Sequence, residues 1–76
     1  GCIYSITLDE DFTLAASEVT SGQYGEALVF IDLNGYTLTA SGMTFTDELQ
    51  SGMKYRLLVS WTPYGVMLEK TGEWVA

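Results

Sequence analysis

Histidine is absent from this chain, and cysteine and proline occur once each. Without an imidazole, neither a Ser-His nor a Cys-His nucleophile pair can be assembled. One cysteine cannot close an internal disulfide, and with no histidine to join it cannot build a Cys/His zinc site. A Ser-Lys pair would have to draw on Lys54 or Lys70. Both fall on expected strands, where an exposed amine is the ordinary role and an activated one would have to be buried. No catalytic residue, cofactor or metal is therefore expected, and the chain reads as a non-enzyme. Basic side chains are scarce too: three face ten carboxylates, for a net charge of −7. Such a surface repels phosphate backbones and anionic membranes, so direct nucleic-acid binding is not expected. An acidic shell can occupy a basic groove as a nucleic-acid mimic, although solubility is its commoner purpose. No run of about 18 apolar residues exists, the length a spanning helix needs.

What remains is short and apolar. The chain has 76 residues, 47% of them hydrophobic and 13% aromatic. That is enough for a single β domain over residues 1–76. A domain this small buries only about 60% of its unfolded surface, so its stability is marginal and a partner chain or larger parent is expected to contribute.

The chain opens on Gly1 rather than Met, without a recognisable signal peptide, which leads us to expect a processed or trimmed N-terminus. Three readings of Gly1-Cys2-Ile3-Tyr4-Ser5 stay open. Cys2 can be the lipid-bearing residue of a bacterial lipoprotein. Gly1 can be a myristoylation site with Cys2 available for palmitoylation. Or Gly1 is a remnant of added sequence and Cys2 simply begins a strand. No polybasic segment supports an anchor, since Asp9, Glu10 and Asp11 follow.

Period-two alternation dominates the pattern. Cys2, Tyr4, Ile6 and Leu8 predict one face of a strand, ended by the acidic triplet 9–11. Residues 12–20 predict a short strand, although Leu14-Ala15-Ala16 could start a short helix. Residues 20–25 form a loop. Asn34-Gly35 is the favoured pair for a type I′ hairpin turn. Pairing across it sets Leu33 opposite Tyr36, Ile31 opposite Leu38 and Val29 opposite Ala40. Met43 to Thr46 extends the second strand past a kink at Gly42, and residues 47–52 form a loop. Tyr55, Leu57, Val59 and Trp61 predict a further buried face, with Lys54, Arg56, Leu58, Ser60 and Thr62 opposite. Thr62-Pro63-Tyr64-Gly65 is a turn. Trp61 then meets Val66 and Val59 meets Leu68, before Gly72 breaks the pattern and Trp74 plugs a core or interface. The sum is an all-β fold, a small antiparallel β-sandwich or open barrel of five to seven short strands.

Few residues stand out as sites. Asp9 and Asp11, or Asp47-Glu48, could hold calcium weakly, but acidic turns are the ordinary reading. The scattered glycines mark turns, not a phosphate cradle. Tyr24, Tyr36, Tyr64, Trp61 and Trp74 could stack on sugar rings, with core packing the stronger expectation for Trp61. Tyr64, at a turn tip, is the best exposed candidate. Lys54, Arg56 and Lys70 are expected to cluster on adjacent strands, where they guard an edge or pair with a neighbour's acidic residues.

Residues 49–74 read Leu49-x-x-Gly52-x-x-Tyr55-x-x-x-Val59, then Gly65-Val66-x-Leu68, then Trp74. This resembles the closing hairpin of the fimbrillin family, the type V pilin-like surface pilins and lipoproteins of gut and oral anaerobes. Members end with a Leu, a Gly, a Tyr-led strand, a Lys-Thr-Gly-like turn, a second strand and a Trp. The Asn34-Gly35-Tyr36 turn is similar to theirs as well. The resemblance implies a transthyretin-like β-sandwich, lipoprotein export with Cys2 at the lipidated end, and assembly by strand donation between subunits. The turn here departs from the family by having no Lys-Thr, and the chain is far shorter than a two-domain pilin.

The leading expectation is thus a cell-surface or extracellular structural or adhesive module. It acts through strand-edge contacts with another protein chain, including a second copy of itself, and meets a membrane only through a lipid anchor. The alternative is a phage-encoded virion component, or an acidic inhibitor of a host nucleic-acid-binding enzyme, in the virion or the host cytoplasm. A carbohydrate-binding module is the third expectation.

Overall fold

The computed structural model describes residues 2–76. The readings that rest on Gly1 lie outside the described residues. Over that span the chain forms β1 (Cys2–Thr7), β2 (Phe12–Ala15), a single helical turn α1 (Ala16–Val19), β3 (Gly25–Asp32), β4 (Leu38–Ser41), β5 (Met53–Thr62) and β6 (Gly65–Val75). The fold is all-β. One sheet has the order β1-β3-β5-β6 and the other pairs β2 with β4.

Two of the pairings depart from the antiparallel expectation. β1 lies parallel to β3, with Cys2 beside Ala27 and Thr7 beside Asp32. β2 lies parallel to β4, with Phe12 beside Leu38. The cause is the route of the chain. Through its first four strands it alternates between the two sheets, so neighbours within a sheet are next-but-one in sequence and run the same way. The four-stranded sheet is open at β1 and β6 and does not close into a barrel.

The Asn34-Gly35 turn forms, but the hairpin does not. Asn34 (φ 51°) and Gly35 (φ 88°) both take the left-handed region that a type I′ turn requires. The Tyr36 amide donates to the Leu33 carbonyl across the turn at 2.8 Å. Beyond that bond the flanking segments separate. β3 pairs antiparallel with β5, setting Val29 opposite Leu57 and Ile31 opposite Tyr55, while Leu38 and Ala40 leave for the second sheet. The turn is anchored elsewhere: the Gly35 amide donates to the Ser51 carbonyl at 2.8 Å, and the Asn34 side-chain amide to the Leu8 carbonyl at 3.1 Å.

The β5–β6 hairpin matches its expected register, with Trp61 opposite Val66 and Val59 opposite Leu68. Gly72 does not end it. A bulge between Arg56 and Leu57 absorbs an irregularity there, and β6 continues to Val75. Thr71 sits at that bulge, its hydroxyl donating to the Arg56 carbonyl at 3.1 Å while Arg56 Nε donates back at 2.9 Å. The expected strand at residues 43–46 reduces to one bridge from Thr44 to Met67.

Burial follows the alternation. Ala27, Val29 and Ile31 of β3, Tyr55, Leu57, Val59 and Trp61 of β5, and Leu68 of β6 turn one face of the larger sheet inward. Leu14, Val19 and Leu38, from the smaller sheet and α1, complete the same hydrophobic cluster. The polar ends of the buried aromatics are satisfied. Trp61 Nε1 donates to the Ser21 carbonyl at 2.9 Å, and the Tyr55 hydroxyl accepts the Gln50 amide at 2.7 Å.

Candidate functional site

The two edges of the larger sheet differ. The backbone groups of a strand point alternately left and right, so half of those on an edge strand face away from the sheet. On β6 this outward row is occupied in part, between Val66 and Lys70. The Leu68 amide donates to the Thr44 carbonyl and the Val66 carbonyl accepts from the Thr44 amide, both at 2.9 Å. The Lys70 amide donates to the Asp47 carboxylate at 2.8 Å. The Lys70–Glu73 ion pair, at 3.5 Å, and the bulge add charge and twist to that edge.

The edge at β1 is bare. The Leu8 amide donates inward to the Asp32 carbonyl at 3.0 Å, so by alternation Tyr4 and Ile6 also bond toward β3. The amides and carbonyls of Ile3, Ser5 and Thr7 therefore face outward, and among the described residues nothing bonds to them. β1 carries no charge, no proline and no bulge. It has none of the devices that normally blunt an edge.

The face of this sheet turned away from the core is also uncovered. Leu28 lies directly opposite Leu58, with Ile3 beside Leu28 and Phe30 one pair further along. Ile3 is 72% exposed and Phe30 37%. Lys54 and Arg56 stand on the same face, on β5.

The expected trio of Lys54, Arg56 and Lys70 is not brought together. Between the turn and the bulge, pairing across the β5–β6 hairpin joins an odd-numbered residue of one strand to an even-numbered residue of the other, as in Leu57 with Lys70. Lys70 therefore shares the face of Leu57, and its ammonium lies 5.8 Å from the centre of the Tyr55 ring. Lys54 and Arg56 point to the opposite side, from an interior strand rather than an edge. The register of Trp61 with Val66 already contained this parity, and it could have been read from the sequence.

Tyr64 is 98% exposed at the tip of the β5–β6 turn. Cys2 is an exposed free thiol at the start of β1. Trp61 belongs to the core, whereas Trp74, expected as a plug, is half-exposed opposite Lys54 on the uncovered face. Asp11 accepts the Thr37 amide at 3.0 Å, which ties the acidic turn to the start of β4. Among the described residues no group of three or more cysteine or carboxylate side chains is placed to hold a metal ion. Sequence reasoning missed both the bare β1 edge and the uncovered face. The charge-free run Cys2 to Thr7 was the signal for the first. Compared with known proteins, the chain matches no family model, no curated protein and no solved structure.

Proposed function

We propose that this chain is a non-enzymatic structural or adhesive module that takes a strand from another protein chain along β1. The observation that carries the reading is the contrast between edges, with β6 occupied between Val66 and Lys70 by the chain's own loop and β1 left with the outward groups of Ile3, Ser5 and Thr7 unbonded. An uncharged strand rich in β-branched residues is a hazard when left open, because any extended segment can pair with it. A partner strand removes the hazard and supplies the hydrogen bonds, as in β-augmentation.

The fimbrillin-like ending at residues 49–74 supports a cell-surface setting for the same activity, with the two sheets forming a small open sandwich. Cys2 is exposed at the head of β1, so an acyl chain attached there stays outside the core.

The test is solution mass by light scattering at low and high salt, for the native chain and Ser5→Pro. The Ser5 amide faces outward, so proline removes an edge donor without breaking a bond to β3. Assemblies larger than one chain at both salts, lost in Ser5→Pro, are expected. A single-chain mass at both salts, unchanged by Ser5→Pro, overturns the reading of β1 as a site of self-assembly.

A further inference from the structure

We infer that the strand taken along β1 is the β1 of a second copy of this chain, paired antiparallel about a two-fold axis at Ser5, which deepens the proposed function and rests on β1 being its receiving edge. The product is a closed dimer with one continuous sheet, β6-β5-β3-β1 of one copy running into β1-β3-β5-β6 of the other.

Hydrogen bonding sets the register. The outward groups belong to Ile3, Ser5 and Thr7, spaced evenly about Ser5. An antiparallel neighbour satisfies such groups in facing pairs, each pair exchanging two bonds. With the axis at Ser5, Ser5 faces Ser5 and Ile3 faces Thr7, so every outward group of both strands is bonded. An axis at Tyr4 leaves Thr7 without a partner in β1, and an axis at Ile6 leaves Ile3 without one. Ser5 is the centre that uses the whole edge.

The side chains identify the occupant. On the core side of β1, Tyr4 and Ile6 pack against the hydrophobic cluster yet are only half-buried. The core is unfinished along this edge, and a strand that completes it must bring large apolar side chains at the same two levels. A second β1 does so. Tyr4 faces the partner's Ile6, and Ile6 the partner's Tyr4, in the closer, non-hydrogen-bonded class of pair, where an aromatic on a β-branched residue is favourable. On the opposite side Ile3, 72% exposed, gains Thr7 as a neighbour, and the small Ser5 meets itself. From either end, residues 3–7 present a β-branched residue, a large apolar one, serine, a large apolar one and a β-branched one. That is the self-complementarity an isologous interface requires. No other strand of this chain offers it: β3, β5 and β6 carry charges, and β2 and β4 have four residues each.

Charge sets the direction. Asp9, Glu10 and Asp11 follow β1, and a parallel second copy would lay these triplets side by side at about 4.8 Å. The antiparallel pair holds the two Asp9 residues about 27 Å apart, at about 3.4 Å per residue. The acidic neighbours on β3 are Asp32, beside Thr7, and Glu26, just before the partner of Cys2. Across Thr7, Asp32 meets the uncharged Ile3 of the second copy. Glu26 comes level with the second copy's Asp9, but two strand spacings away, at about 10 Å, where about 0.1 M salt screens the repulsion. The dimer therefore persists at low salt and tightens slightly at high salt.

Light scattering and disulfide trapping test this, the trapping in a Cys2→Ser background so that an added cysteine is the sole thiol. The native chain is expected at the mass of two chains at both salts, without growing further as concentration rises, and Ser5→Pro is expected to lose the dimer. Under mild oxidation Ser5→Cys is expected to cross-link to itself, because residues facing each other in a hydrogen-bonded pair stand about 5.5 Å apart between Cα atoms, within disulfide reach. Ile3→Cys alone is expected to cross-link at least about tenfold more slowly, since its two copies stand roughly 14 Å apart and meet only by collision. Mixing Ile3→Cys with Thr7→Cys is expected to give the mixed disulfide, resolved by mass. All three positions are exposed, and circular dichroism shows that each variant is folded.

Assemblies that grow past two chains, Ile3→Cys cross-linking as fast as Ser5→Cys, or no cross-link in Ser5→Cys each overturn the inference. Where such assemblies are still lost in Ser5→Pro, the proposed function stands. A single-chain mass at both salts, or a dimer that Ser5→Pro leaves intact, overturns the inference and the reading of β1 as a site of self-assembly together.

Discussion

The indole of Trp61 lies over the backbone of Gly25, its partner across the β3–β5 ladder. A methyl group at position 25 would sit 2.6 Å from Trp61 Cζ2 and 3.0 Å from Cε2. The ring cannot simply move aside. It is buried and tied by its Nε1 donor to the Ser21 carbonyl. Gly25 is thus a glycine for lack of room, not for want of backbone freedom.

Gly25→Ala is therefore expected to destabilise the domain by about 1–3 kcal/mol, the usual cost of overpacking a fixed site. Urea unfolding followed by tryptophan fluorescence measures it. A variant as stable as the native chain would mean the ring has freedom that its hydrogen bond does not suggest.

Gly35 is a glycine for the opposite reason. Space around it is open, but its φ is 88°. Gly35→Ala is expected to cost about 1 kcal/mol through backbone strain, and Gly35→Asn less, since asparagine tolerates the left-handed region better. Equal stability of the two variants in urea would contradict the conformational explanation.

Tyr55 is buried in the core, and its hydroxyl accepts the Gln50 amide at 2.7 Å. Tyr55→Phe keeps the packing and removes the acceptor. A loss of about 1–2 kcal/mol is expected, together with faster amide exchange at Gln50. Retained protection at Gln50 would show that the 47–52 loop is held by other contacts.

Hydrogen exchange also reads the edge of β1 directly. In the isolated chain, amides of Tyr4, Ile6 and Leu8 are expected to exchange slowly and those of Ile3, Ser5 and Thr7 quickly. Occupation of the edge by another strand erases the alternation. Uniform slow exchange in dilute protein, where no partner is bound, would be at odds with an open edge.

Legibility in the sequence followed locality. The β5–β6 hairpin could be read because alternation along residues 54–62 and the Pro63–Gly65 turn agree on a single register, in which Trp61 meets Val66. The core face of β5 follows from the same alternation. Asn34 and Gly35 announced their turn because positive φ is a property of two adjacent residues. The pairing of β3 was different. Val29 and Ile31 look equally well served by Ala40 and Leu38, next door in sequence, as by Leu57 and Tyr55, which they meet. The Lys54–Arg56–Lys70 cluster failed for a neighbouring reason. Adjacent strands do not by themselves give a shared face, and the pairing of Leu57 with Lys70 separates Lys70 from the other two.

Composition and short-range pattern settled that this chain is all-β, which side chains point inward along each strand, and where the chain must turn. These properties arise from backbone sterics and from the two-residue repeat of a strand, and both act within a few residues. Which strands become neighbours was decided in three dimensions. Every strand offers the same amides and carbonyls, so hydrogen bonding alone does not choose a partner. The choice fell to the burial of whole faces. Sending β2 and β4 to a second layer covers Val29, Leu57 and Leu68 with Leu14 and Leu38. The same arrangement leaves β1 with an unpaired edge and the opposite face of the sheet bare. The bare β1 edge, on which function is proposed, is therefore a consequence of long-range packing acting on a charge-free segment.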